Sequence, residues 1–374
     1  MDRKITVVQM LPALDSGGVE RGTLEIADYL VKRGHRSIVI SSGGRMREEL
    51  LAQGSEHFNW PVGKKSLTTL RYIWKVRALL NEVKPDILHL RSRLPAWIGY
   101  LAWRGMAPES RPHLITSVHG PYSVGRYSAV MVKGERVIGV SNMIQHYITS
   151  NYPDVDKDLI RVIHRGVDPE QYCFGFQPDA QWVDQWYTDF PQTKGKTLLT
   201  LPGRLTRWKG QEDFIKVIAA LIAQGHNVHG VIAGGAHPKK TEYAKSLQDE
   251  IDRLGLGESI TMVGHRSDLK QLMGISAITF SLTNEPEAFG RTTIESLSMG
   301  VPVIAYAHGG VEEQLAEVCP DGLVKVGDVD TVIKLTAQWL AEAPTVNREH
   351  SFTLEKMCSG TLSVYDEVLG SRIA

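Results

Sequence analysis

Short apolar runs rich in β-branched residues alternate with segments of helical period along nearly the whole chain, and this alternation restricts the fold more than any other feature. ITVVQML (5–11) leads through a glycine loop to a helix predicted over about 19–33, which Gly34 stops. RSIVI (36–40), DILHL (86–90), HLITSV (113–118) and RVIGV (136–140) are the next predicted strands. The pattern pauses at 172–196, where Tyr, Trp, Asp, Gln and Pro cluster, and restarts at TLLTLPGR (197–204). VHGVIAGG (228–235), SITMV (259–263), AITFS (277–281) and VPVIAY (301–306) follow. Strands separated by helices imply an α/β fold with parallel sheets. The expected organisation is two Rossmann-like, doubly wound domains facing an interdomain cleft, over residues 1–185 and 186–350, with a linker near 175–195. Residues 351–374 read as helix without a strand, packing back on the first domain.

Composition removes several classes. Lys plus Arg is 42 and Asp plus Glu is 42, whereas a nucleic-acid carrier is usually strongly basic. The three cysteines, Cys173, Cys319 and Cys358, are widely spaced and form no C-x-x-C, which argues against a disulfide framework or a thiolate zinc site. No apolar run approaches the roughly 18 residues of a membrane span. The N-terminus reads as a first buried strand, because Gln9 and Pro12 interrupt its short apolar stretch and no small-residue cleavage site follows. A cytoplasmic protein is expected.

The charge balance conceals an asymmetry. Residues 1–185 hold 24 basic and 19 acidic residues, and residues 51–136 alone hold 13 and 5. Such a patch suits an anionic partner, though a solvated face gives the same counts. Lys64, Lys65, Arg71 and Lys75 border or lie on a predicted helix that also carries Leu67, Leu70, Ile73 and Trp74. A helix of this kind can lie on an anionic lipid surface, while core packing of its apolar side explains the same residues. Arg91 and Arg93, after DILHL, are the alternative contacts for acidic groups on a substrate.

Several segments after predicted strands carry the chemistry. Gly17 and Gly18 stand between the first strand and its helix, where backbone can approach a ligand and a helix N-terminus faces an anion. They lack the G-x-G-x-x-G spacing of a dinucleotide fold, which counts against a dehydrogenase. Arg204 and Lys209 in PGRLTRWKG place two cations at a strand-to-helix crossover, a pattern that suits a diphosphate. In NEPEAFGRTTIESLSMGVPVIAYAHGG (284–310), Glu287 and Glu295 are eight positions apart. On one helix they would stand roughly 12 Å apart along the axis, which disfavours the paired carboxylates of a glycosidase, about 5–9.5 Å apart, although side-chain reach spans part of the difference. The two carboxylates are better placed to hold opposite ends of an extended ligand, with the N–H groups of Gly290, Arg291 and Thr292 facing a phosphate between them. Two D-x-D triplets, Asp154–Asp156 and Asp328–Asp330, lie in acidic turn-like segments and are expected to be structural.

The E-x-F-G…E-x-x-x-x-G-x-P-V-I…G-G pattern resembles retaining glycosyltransferases of the GT-B fold, family four. GGVERGTLEIADYLVKRGH, DILHLRSR, the His119–Gly120 pair, RVIGVSN, HRGVD and PGRLTRWKG look like the family's other pieces in the same order. SRLPAW (92–97) and HGPY (119–122) further resemble members that build bacterial lipopolysaccharide. The resemblance implies that His119 sits by the donor sugar and phosphate. It places Gly17 and Gly18 near the donor diphosphate or the acceptor, Arg204 and Lys209 on the diphosphate, Glu287 on sugar hydroxyls and Glu295 on the nucleotide ribose. Arg165 stands where the family usually has Asn, and Ala288 where Gly is common. The implied reaction is sugar transfer from a nucleotide-diphosphate sugar, UDP preferred, to a hydroxyl of a lipid-linked saccharide, with retention, no metal and no cofactor. The implied location is cytoplasmic, with the inner face of the plasma membrane as the place of a peripheral contact. A sugar-nucleotide epimerase of the same architecture and a non-catalytic sugar-binding protein are the rival readings.

Overall fold

A computed structural model describes residues 3–15, 17–236 and 241–371. They form two compact units, one running up to Arg165 and resuming at Leu354, the other spanning Gly166–Thr353. Each unit is built on one parallel sheet with helices between successive strands.

The first sheet contains β1 (Thr6–Met10), β2 (Arg36–Ser41), β3 (Glu56–Asn59), β4 (Ile87–Leu90), β5 (His113–Val118), β6 (Arg136–Gly139) and β7 (Ile160–Val162). Its order is β3-β2-β1-β4-β5-β6-β7, so β1 pairs with both β2 and β4. The inner strands are buried almost throughout, as expected for a parallel sheet covered on both faces, and they carry a few buried polar residues, among them Gln9, His89 and Ser117. One face packs the first helix, Gly18–Lys32, and the last, Leu354–Ser371. Ile26 and Leu30 from one, and Met357, Tyr365 and Val368 from the other, join Val7, Ile87, Ile115 and Ile138 in a single cluster. Polar ties fix the last helix: Glu367 pairs with Arg136 and Arg161, and the Tyr365 hydroxyl meets His89 Nδ1 at 2.7 Å.

The second sheet contains β8 (Thr197–Pro202), β9 (Val228–Ala233), β10 (Ile260–Gly264), β11 (Ile278–Ser281), β12 (Val303–Tyr306) and β13 (Leu323–Val324), in the order β10-β9-β8-β11-β12-β13. Leu199, Leu201, Phe214, Ile218, Phe280 and Ile304 form part of its main core.

The expected linker is folded structure. Ala180–Asp189 is a helix whose N-cap, Asp179, accepts from Trp182 N at 2.8 Å. Trp186 is buried beside Leu198, Val231 and Leu272, and stacks on Trp182 at 5.6 Å. The unit boundary therefore falls at 165/166 rather than at 185. Of the aromatic residues that interrupt the strand–helix alternation, Trp186 is a core residue of the second unit, Trp182, Tyr187 and Phe190 pack against it partly buried, and Phe174 is exposed.

Two core histidines make stability depend on pH. His89 on β4 meets Tyr365 and Ser117, and burial holds its pKa well below the usual 6.5. His229 on β9 meets Thr261 Oγ1 at 2.8 Å, and burial, aided by Lys196, lowers it to about 4. A depressed folded-state pKa gives stability that is present above the unfolded value and lost as pH falls through the folded one. The melting temperature should therefore be level above about pH 7 and fall steadily toward pH 4, with a shallower fall in His229→Gln. Thermal unfolding followed by circular dichroism checks this, and a melting temperature independent of pH over that range would contradict it.

Candidate active site

In an open parallel sheet, ligands bind beyond the carboxyl ends of the strands where the winding reverses. In the second unit that point lies between β8 and β11. The loop after β8 carries Arg204, a 3₁₀ turn (Arg207–Lys209) and Gly210, and then the helix Gln211–Ala223. The loop after β11 carries Glu287 and leads to the helix Arg291–Ser298. The two loops are tied together: Asn284 N donates to Trp208 O at 2.7 Å. Gly210 has φ +75°, and a Cβ there would stand 1.9 Å from Leu282 O, so only glycine lets the loops approach this closely.

Lys209 Nζ donates to Glu287 Oε1 at 2.8 Å and sits 4.5 Å from the centre of the Trp208 ring. Both side chains are largely buried. Lys209 was expected as a cation for a diphosphate; here its charge is engaged by Glu287, so one contact links the two motifs. Arg204 is exposed. Glu287 lies in the loop rather than on a helix, so the separation along a shared axis does not apply. The helix Arg291–Ser298 starts at Gly290, φ +87°, without a side-chain cap. Thr292 lies in its first turn, and Glu295, one turn on, pairs with Arg291 Nε at 3.3 Å. A cation, a carboxylate and a helix N-terminus thus occupy adjoining loops, a combination that can hold a phosphorylated sugar.

In the first unit the winding reverses between β1 and β4. Gly17 is the N-cap of the first helix, with φ +140°, and the Gly18 carbonyl accepts from Arg165 Nη1. Gly18 is therefore a backbone anchor within the unit. Arg165 Nη2 bonds His119 Nδ1 at 2.9 Å. His119 follows β5, and its backbone N–H donates to the Tyr122 hydroxyl at 3.3 Å. Burial, then the charges of Arg165 and Arg91, hold the His119 pKa well below the ordinary value, so the ring is neutral at pH 7.

Arg91, expected as a contact for acidic groups on a substrate, is buried rather than exposed. Its residue is 5 % exposed, and Nη1 donates to Gln9 Oε1 at 2.8 Å. Arg91, His119 and Arg165 instead line one cavity of about 20 Å³, room for about one water molecule. Arg93 stands over the Tyr122 and Tyr127 rings at 4.8 and 5.5 Å. Sequence reasoning missed Gln9, Tyr122 and Arg165 as members of this cluster. The only signal for Arg165 was the Arg in HRGVD where the family pattern has Asn.

The basic segment is a 3₁₀ turn, Leu67–Arg71, followed by the helix Tyr72–Val83. Its core side is Tyr72, Val76, Leu79 and Leu80. Leu67, Leu70 and Trp74 are 86 %, 46 % and 64 % exposed, so core packing does not account for them. Lys64, Lys65, Arg71 and Lys75 are exposed around them, with Arg71 and Lys75 both over the Tyr72 ring. Among the described residues no helix is long and apolar enough to cross a membrane. Both D-x-D triplets are capping devices: Asp156 accepts from Asp158 N and Asp328 from Thr331 N. No group of three or more His, Cys, Asp or Glu among the described residues is placed to hold a metal ion.

Comparison with known proteins gives one consistent answer. The pattern of Glycosyltransferase Family 4 matches residues 16–171, and that of Glycosyl transferases group 1 matches residues 185–352. The crystal structure of a glycosyltransferase from Rickettsia africae ESF-5 is 29 % identical, with a TM-score of 0.86 over 98 % of this chain and 99 % of that one. Anabaena Alr3699/HepE in complex with UDP-glucose superposes with a TM-score of 0.76 at 20 % identity, over 98 % of this chain and all of that one. Among curated relatives, the N-acetyl-alpha-D-glucosaminyl L-malate synthase of Bacillus anthracis is 23 % identical over 96 % of this chain and 95 % of its own length. The lipopolysaccharide core biosynthesis mannosyltransferase LpcC of Rhizobium leguminosarum is 23 % identical over 56 % of this chain and 60 % of its own. With two parallel-sheet Rossmann-like units and both family patterns in order, the chain belongs to the group 1 glycosyltransferases of the GT-B fold.

Proposed function

We propose that the protein is a retaining hexosyltransferase that moves a sugar from a UDP-sugar to a hydroxyl of a lipid-linked saccharide, in lipopolysaccharide or other cell-surface glycan synthesis. The observation that carries this reading is the Lys209–Glu287 pair, set between the β8 and β11 loops beside the N-terminus of the helix Arg291–Ser298. The relative solved in complex with UDP-glucose supports the donor class, and LpcC supports the acceptor class.

The barrier is departure of the diphosphate from an oxocarbenium-like carbon. Groups preorganised where negative charge develops usually contribute most to lowering such a barrier. Arg204 and Lys209 take that role, with Gly290, Arg291 and Thr292 presenting the helix N-terminus to a phosphate. Glu287 holds Lys209 in place and accepts from sugar hydroxyls, while Glu295 accepts from the ribose. His119 is the neutral donor beside the sugar and phosphate. The leaving phosphate assists deprotonation of the acceptor hydroxyl on the same face, which keeps the anomeric configuration. Because side-chain cations and a helix terminus compensate the diphosphate, the reaction needs no metal and no cofactor.

The acceptor side is assigned to the first unit. Arg93, on its aromatic platform, faces the acidic groups of the saccharide. Leu67, Leu70 and Trp74, ringed by Lys64, Lys65, Arg71 and Lys75, rest on the cytoplasmic face of the membrane that holds the lipid-linked acceptor. Each cation near an anionic surface contributes about 1 kcal/mol, screened by salt.

Two measurements follow from these assignments. Arg204→Ala should lower kcat by about 10²–10³-fold, the loss seen when one such stabilising donor is removed; a near-wild-type rate would contradict the assignment. In sedimentation with vesicles, the protein should bind anionic lipid at low salt and release at high salt, and charge reversal at Lys64, Lys65, Arg71 and Lys75 should abolish binding. Equal binding to neutral vesicles, or none to either, would remove the membrane contact.

A further inference from the structure

We infer that Arg165 is a positioning residue for His119, fixing the tautomer and ring orientation in which that histidine serves the transfer reaction. The inference rests on the role given to His119 above. Arg165 follows β7, and its guanidinium reaches two elements at once. Nη1 donates to the Gly18 carbonyl at the start of the first helix, and Nη2 bonds His119 Nδ1 at 2.9 Å beyond β5. A guanidinium can only donate. Nδ1 must therefore present its lone pair, and the single proton of the neutral ring sits on Nε2. Nε2 is buried and has no hydrogen-bond partner among the described residues. What the pairing leaves over is thus an N–H donor, the form that suits a phosphate or sugar oxygen.

The seat for Arg165 is built into the fold. Gly22, on the first helix, has no side chain where one would collide: a Cβ there would stand 2.3 Å from Arg165 Nη1 and 3.4 Å from Arg91 Nη2. Arg165 is 6 % exposed, and Arg91 beside it is held by Gln9. The groups that act on His119 are Arg165, Arg91 and His89, all of which disfavour the imidazolium. Glu20 and Tyr122, also near this cluster, are themselves biased toward their neutral forms by burial. The ring is therefore held neutral as well as oriented.

The test uses the full-length chain labelled with ¹⁵N, in which long-range ¹H–¹⁵N correlation distinguishes the two neutral histidine tautomers and His119→Gln identifies the signals. In the wild type His119 should carry its proton on Nε2. In Arg165→Gln the tautomers should mix, kcat should fall roughly tenfold or more with a smaller change in the KM for donor, and the acid limb of the pH–rate profile should move to higher pH. That direction follows because removing a neighbouring cation raises the pKa of His119, so the neutral ring is lost sooner as pH falls. Arg165→Lys, which keeps a cation, should leave the acid limb near its wild-type position while kcat stays reduced. If Arg165→Gln does not fold, Gly22→Ala displaces the guanidinium without removing its charge and should mix the tautomers in the same way. A proton on Nδ1 in the wild type would overturn the inference, as would an unchanged tautomer and kcat in folded Arg165→Gln. If the tautomers mix but Arg165→Gln and His119→Gln both turn over at the wild-type rate, the bond is real and the role of His119 has failed, and the inference falls with it.

Discussion

A parallel sheet that winds outward in both directions from one strand must send the loops of neighbouring strands to opposite sides, and both sheets of this protein do so, at β1/β4 and at β8/β11. The strands are buried, and the candidate substrate-binding groups stand in the loops beyond their carboxyl ends, supported in the first unit by the buried strand residues Gln9, His89 and Ser117. At β8/β11 the diverging loops are drawn together by Gly210 and by the Asn284–Trp208 bond, which sets Lys209 against Glu287. At β1/β4 the loops hold Gly17, Gly18 and Arg91, with His119 and Arg165 arriving from the ends of β5 and β7.

The two clusters handle charge differently. Lys209 has a carboxylate at hydrogen-bond distance, so its desolvation is offset locally. Among the hydrogen bonds described above, those of Arg91 and Arg165 go to neutral acceptors: an amide oxygen, a peptide carbonyl and an imidazole nitrogen. Both guanidinium groups keep their charge when buried. Burial first, then Arg91 for His89 and Arg165 with Arg91 for His119, hold the two histidines neutral. A neutral histidine beside two arginines is a hydrogen-bond donor that adds no charge of its own.

Much of this architecture is legible in the sequence, and what is not shares a physical cause. All ten strands expected from apolar runs exist. The three that were not expected, β3, β7 and β13, are edge strands: Glu56–Asn59 has no fully buried residue, and the other two are only three and two residues long. An edge strand needs apolar contact on less of its surface, so its sequence carries a weaker pattern. The segment around Trp182 and Trp186 misleads in another way: its apolar residues are spaced by polar ones at helical period, which reads as a break between strands. The Glu287, Lys209 and His119 motifs are visible as residue types at set places after strands. The contacts between them are not, since Lys209 and Glu287 stand 78 positions apart in the chain. The basic segment shows its charge in the sequence but not that Leu67, Leu70 and Trp74 face outward, because the apolar residues that do pack, Val76, Leu79 and Leu80, follow them closely along the same stretch.

The central claim is that the β8/β11 loops bind the diphosphate of a UDP-sugar without a metal. Thermal unfolding in EDTA with UDP, GDP and ADP and their common sugar conjugates tests it most directly. A ligand that binds only the folded state at 100 times its Kd adds about 2.7 kcal/mol of stability. The account predicts a clear rise in melting temperature with UDP and at least one UDP-sugar in EDTA. No rise with any nucleotide, or a rise only after manganese or magnesium is restored, would contradict it.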